Sequence, residues 1–98
     1  MAPVYLFVEI GIKPGMRDAF VPKLAAHAAH VRTEDGCEKL DILLDTENDD
    51  KVCVWEIWSG KPQWDAHMAN AASAAWRPVA AEYVLGENIT VMGPAPPA

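Results

Sequence analysis

This sequence is short of positive charge, cysteine, long apolar runs and glycine-rich loops. Eight Lys and Arg stand against 14 Asp and Glu, a formal net charge of -6. Binding nucleic acid draws on clustered basic side chains that displace counterions, and no such cluster exists, so nucleic acid is not an expected partner. No apolar stretch approaches the ~20 residues that span a bilayer, and no membrane partner is expected. The opening ten residues lack a basic stretch ahead of their apolar run. No secretion leader is expected, and the cytoplasm is the expected compartment.

There are two cysteines, Cys37 and Cys53, with no C-x-x-C between them. If residues 37–45 and 51–58 pair across a tight turn, Cys53 falls opposite about position 43. Cys37 is then too far along the sheet for a bridge, and both read as reduced thiols. No phosphate loop, serine-nucleophile motif or dinucleotide fingerprint occurs. His27 and His30 form an i, i+3 pair without a third ligand near in sequence, so no metal is expected. The acidic run Asp45–Asp50 lacks the spaced ligands, central glycine and terminal glutamate of a calcium loop and reads as a solvated turn.

The 98 residues suffice for one domain, expected over residues 1–93, with 94–98 (PAPPA) as a flexible tail. The hydrophobic fraction of 51% is high for a chain of this size, much of it alanine, and fits extra burial at a subunit interface. Val4–Ile10 reads as a strand apolar on both sides, ended by Lys13-Pro14-Gly15. From Met16 to about Thr33 the period turns helical, with Phe20, Leu24, His27 and Val31 on one stripe. Pro22 is expected to kink that helix unless it starts near Val21. Glu34-Asp35-Gly36 closes it, Gly36 suiting a left-handed turn.

Two further strands, Cys37–Asp45 and Val52–Trp58, form a hairpin. A helix opens at Lys61 and is interrupted over Asn70–Ser73, with Ser73 as the candidate N-cap of its second piece. That piece carries Trp76, Val79, Ala80 and Tyr83 on one face and is expected to end at Gly86. Ile89–Met92 is a short last strand. The order β-α-β-β-α-β predicts an α+β, ferredoxin-like fold, a four-stranded antiparallel sheet with helices on one face. Either alternation along the first strand leaves apolar residues on the bare face, so a homodimer is expected to cover it.

The stretch Lys51–Met68 concentrates the chemistry, with Trp55, Trp58, Trp64, His67 and a lone carboxylate, Glu56. Residues Thr33 to Leu43 (TEDGCEKLDIL), Trp55-Glu56-Ile57-Trp58 and Ala66-His67-Met68 resemble, in order and spacing, the signatures of the antibiotic biosynthesis monooxygenase domain. Val8-Glu9-Ile10 and Lys13-Pro14-Gly15 fit its first strand and turn. The resemblance covers roughly residues 4–92. It implies a dimeric α+β barrel and, among several activities of the family, cofactor-free oxygenation of aromatic polyketides or quinols.

Residue by residue, the polyketide-type pocket positions fall on Val54, where that type has Asn, on Trp58, and on Trp64, where it has Tyr. A second His of quinol-type members falls on Ala72. The heme-degrading type needs a first-strand Asn, a helical Trp and an axial His. The aligned positions, the first strand through Ile10, Ala66 and Trp76, hold no Asn, no Trp and no His, respectively, and heme is not expected.

Oxygenation without a cofactor requires an acidic substrate, a base and a dry aromatic pocket. His67 is the base candidate, because imidazole exchanges a proton near neutrality. Trp58 and Trp64 are candidate flat walls for a ring, with His27 and Trp76 as further lining residues. Glu56 shares a strand face with Val54 and Trp58 and must find a partner, either His67 or a basic residue across the dimer. The expected function is therefore oxidation of a quinol or other polyphenolic molecule by molecular oxygen, with no cofactor. The alternatives are a non-redox isomerase of a small carbonyl compound and a non-catalytic binding dimer of the same fold.

Overall fold

Alternation along the first strand sorts the two faces of the sheet. The computed structural model describes residues 2–97. In order they form β1 (Val4–Ile12), α1 (Arg17–Val31), β2 (Cys37–Leu44), β3 (Lys51–Trp58), α2 (Lys61–Ala69), α3 (Ala71–Ala81) and β4 (Val84–Met92). The strands pair antiparallel in the order β2-β3-β1-β4. This is the expected βαββαβ ferredoxin-like arrangement, its second helix in two pieces.

On β1, Leu6, Val8, Ile10 and Ile12 are buried and join Phe20, Leu24, Ala28 and Val31 of α1 in the core. In register with them stand Glu56, Val54 and Val52 on β3. The opposite face carries Tyr5, Phe7, Trp55 and Ile57, with Tyr5 stacked on Trp55 at 6.0 Å. Leu43, in register with Cys53 on that side, is 47% exposed. The bare face is thus the Tyr5/Phe7 one. Both cysteines are free, and Leu43 rather than Cys37 stands opposite Cys53.

The acidic turn is tied down by its own side chains. Asp45 Oδ1 accepts the N–H groups of Glu47 and Asn48 at 2.8 and 3.0 Å. Arg17 reaches in from α1 and donates to the carbonyl oxygens of Asp45, Asn48 and Lys51. These bonds fix the β2–β3 hairpin against the start of α1.

The start of α1 falls where the helical period predicts, and two later boundaries differ from the sequence reading. α1 begins at Arg17 and runs through Pro22, whose missing N–H would have met Asp18 near the helix start, where few bonds are lost. Asn70, not Ser73, is the N-cap of α3. Its backbone is extended and its Oδ1 accepts the Ser73 N–H at 2.8 Å, the N3 contact that an N-cap makes. Gly86 ends no helix. α3 stops at Ala81, and Gly86 sits within β4 opposite Gly11. Leu85-Gly86-Glu87-Asn88 has little strand propensity of its own, and pairing with β1 decides its conformation.

Gly36 does take a left-handed turn, with φ +82. It is also a point of close approach: a Cβ there would lie 2.4 Å from Gln63 Cγ and 2.7 Å from Ser59 Oγ. The turn before β2 is thereby pressed against the start of α2. That contact sets the height of α2 over the sheet.

Candidate active site

Helices α1, α2 and α3 and the inner sheet face line a partly open cavity of about 460 Å³, within the range of small-molecule sites. Leu6, Val8, Val54 and Ile89 form much of its floor. His27, Glu56, Trp64, His67 and Trp76 all line it. Trp58, an expected wall residue, is instead 0% exposed and does not line the cavity. It lies beneath His67, the two rings stacked at 4.7 Å, and its indole Nε1–H donates to Glu56 Oε1 at 2.9 Å. One buried indole therefore fixes both titratable groups. Trp55, the residue just before Glu56 on the strand, faces the other side of the sheet, against Tyr5.

The partner of His67 is Glu34, not Glu56. His67 Nδ1 lies 2.7 Å from Glu34 Oε1, and both side chains are mostly buried. Asn70 Nδ2 donates to the same oxygen at 2.9 Å. Glu34 Oε2 is buried without a hydrogen-bond partner, with His30 Nε2 3.9 Å away. With Nδ1 committed to the carboxylate, Nε2 is the ring nitrogen left to take a proton. A carboxylate in that place fixes the ring's tautomer and orientation and stabilises the imidazolium once formed.

The backbone under His67 is held as well. Ser73, buried on α3, donates Oγ–H to the His67 carbonyl at 2.6 Å. Asn70 thus serves twice, as cap of α3 and as a donor to Glu34. Asn70→Ala is expected to cost about 1–2 kcal/mol of stability from the cap alone. Urea unfolding checks this, and an unchanged midpoint would show that the cap contributes nothing.

His27 stacks flat on Trp76, with ring centroids 4.4 Å apart and planes 5° from parallel. Burial lowers its pKa, the nearby His67 and His30 add to that, and Glu34 opposes it. His27 is accordingly a neutral aromatic surface at pH 7. Burial pushes the Glu56 carboxyl above its ordinary value, Glu87 and Glu34 adding to the rise while the Trp58 hydrogen bond and His67 hold it back. Val54 gives the floor a methyl surface.

Nothing in the sequence gives Glu34, Asn70, Ser73 or Glu87 a role in the site; Ser73 and Glu34 stand out there only as helix-end residues. Glu34 and His67 are 33 residues apart, and no local pattern links them. Only the approach of α2 to the turn at Gly36 brings them together. Among the described residues, no group of three or more His, Cys, Asp or Glu side chains is placed to hold a metal ion, and no helix is long and apolar enough to cross a membrane.

Comparison with known proteins agrees with this geometry at the level of fold. PA3566 from Pseudomonas aeruginosa superposes with a TM-score of 0.89 at 20% identity, over 98% of this chain and 97% of that one. Rv0793 from Mycobacterium tuberculosis does so with a TM-score of 0.86 at 22% identity, over 99% of each chain. A conserved protein from Methanosarcina mazei gives 0.85 at 17% identity, over 94% of this chain and 92% of that one. No curated protein matches. The family description that fits is antibiotic biosynthesis monooxygenase, over residues 3–79, which takes in β1 through most of α3 and every residue of the His67 cluster. On that match, and on the fold built above, the chain belongs to the antibiotic biosynthesis monooxygenase family.

Proposed function

We propose that this protein is a cofactor-independent monooxygenase that oxidises a quinol or other polyphenolic aromatic molecule with molecular oxygen. The observation that carries the reading is the Glu34–His67 pair, set at the edge of an apolar cavity with aromatic walls. His67 Nε2 takes a proton from the bound substrate. The resulting electron-rich anion reacts with oxygen, since an apolar cavity leaves it poorly solvated and strengthens what hydrogen bonds it has. For a benzylic CH2 flanked by aromatic rings the balance is simple. The carbon loses two hydrogens and gains one oxygen as C=O, and the second oxygen leaves with those hydrogens as water. Trp64 and the His27–Trp76 stack offer flat surfaces to the ring system.

A homodimer belongs to the same reading. Tyr5, Phe7, Trp55 and Ile57 make a contiguous apolar face that no helix covers, and a second copy of the same face is the simplest cover. Sedimentation should find a dimer at micromolar concentration, and Trp55→Lys should shift it to monomer. A wild-type monomer would remove the dimer from the reading.

The oxygenase itself is tested by oxygen uptake with anthrone or a reduced naphthoquinone and purified protein. Uptake well above the uncatalysed rate, with quinone formation in equal measure, is the expected result. No uptake above that rate with either compound would overturn it.

A further inference from the structure

Glu56 occupies a place that a structural carboxylate has no reason to take. Its cross-strand neighbours are Leu6 on β1 and Leu40 on β2, both buried core residues. Among the described residues it forms no ion pair, and its one hydrogen bond is the indole N–H on Oε1. Oε2 is free of that bond, and Glu56 is among the residues that line the cavity. The same indole that holds Oε1 carries His67 stacked on its ring. A carboxyl group and an imidazole are thus mounted on one rigid buried support and open onto one apolar cavity.

We propose that Glu56 is the proton donor that works together with His67, so that the cavity interconverts the keto and enol forms of a cyclic aryl ketone without oxygen. The inference shares with the oxygenase reading only the substrate class and His67 as base. His67 Nε2 takes a proton from the carbon conjugated to the carbonyl, and the C–H electron pair becomes part of the new C=C bond. The carbonyl π pair takes the proton from Glu56. Glu56 is left as carboxylate and His67 as imidazolium, and the reverse step restores both. No electrons leave the substrate, so no oxidant enters the balance.

The electrostatic setting suits a donor. Burial favours the neutral carboxyl, and the groups acting on it are His67 from α2, Glu87 from β4, Glu34 from the turn before β2 and the Trp58 N–H from β3. Cys37, on β2, is the other titratable neighbour that senses Glu56. With the indole N–H on Oε1, the proton is assigned to Oε2, the oxygen without that bond. Val54 supplies no amide there, and Glu56 provides the oxygen-directed hydrogen bond on that part of the floor.

The test is anaerobic hydrogen–deuterium exchange of the anthrone CH2 in D2O, followed by proton NMR. Wild-type protein should accelerate exchange over buffer, and its pH profile should have two limbs, one from each titrating group. Glu56→Gln keeps an acceptor for the Trp58 indole but has no acidic proton. It should lose about 10²-fold in exchange rate and keep only one limb of the profile. Unchanged near-UV circular dichroism would show that the tryptophans remain in place. A carboxyl carbon-13 titration of wild-type Glu56 should have its midpoint above the ordinary 4.5. No acceleration by wild-type protein, or a Glu56→Gln variant with the full rate and both limbs, overturns the proposal. Oxygen uptake on the same samples separates the two readings. Exchange without uptake leaves this one standing and removes the oxygenase, and uptake without exchange does the reverse.

Discussion

His67→Ala should lower the rate of oxygen uptake by about 10²–10⁴-fold, the range that a positioned general base supplies. The side chain touches the cavity, its Nδ1 is committed to Glu34, and no other imidazole is equivalently placed. His27 lines the same cavity, but burial lowers its pKa, and it is stacked on Trp76 rather than backed by a carboxylate at hydrogen-bond distance. It would be a weaker base. Glu34→Gln should fall between wild type and His67→Ala, about 10–10²-fold down, because the amide can still orient the ring but cannot offset the imidazolium charge. The two changes act on one unit, so the double variant should be little worse than His67→Ala alone. Additive losses would mean that Glu34 acts elsewhere. An undiminished rate in His67→Ala would sink the base assignment.

Gly36→Ala should destabilise the protein strongly. Two effects combine. A non-glycine residue at φ +82 costs about 1–2 kcal/mol. A Cβ at 2.4 and 2.5 Å from Gln63 Cγ and Cβ must also push α2 away, and overpacking of that kind costs about 1–3 kcal/mol. Together they predict a loss of about 2–5 kcal/mol and a Tm lower by roughly 10–30 °C. Gly15→Ala is the control. Its φ is +75, but nothing lies within 4 Å of the new Cβ, so only the backbone part should appear. Gln63→Ala leaves the Cβ contact in place and should recover part of the loss in Gly36→Ala, a coupling that a double-mutant cycle reads directly. Equal losses at Gly15 and Gly36 would show that the α2 contact carries no energy. Because α2 carries His67, the folded fraction of Gly36→Ala should also be less active than wild type.

Much of this protein is legible from its residues one at a time. Alternation in Val4–Ile10 and Val52–Trp58 and the 3.6-residue stripe through Phe20, Leu24 and Val31 are local periodicities, and local periodicity survives without knowledge of the fold. The break near residue 70 and the left-handed Gly36 were legible for the same reason. The cap was not assigned correctly, because Ser73 and Asn70 are both good capping residues and only the backbone shows which side chain accepts. β4 was cut short, because Leu85–Asn88 is a strand by virtue of its partner and not of its composition.

The sequence by itself determined the fold class, the aromatic and histidine content of the Lys51–Met68 stretch, and the presence of a carboxylate on an apolar strand. These depend on residue type and short-range spacing. What only the tertiary structure decided is who faces whom. Trp58 left the cavity wall and became the support beneath His67, Glu56 turned out to be held by an indole, and Glu34 came from 33 residues away to back the histidine. Such pairings arise where separate elements converge, and their distances are set by close contacts such as that of Gly36 with Gln63. A single chain read in order carries no record of those distances.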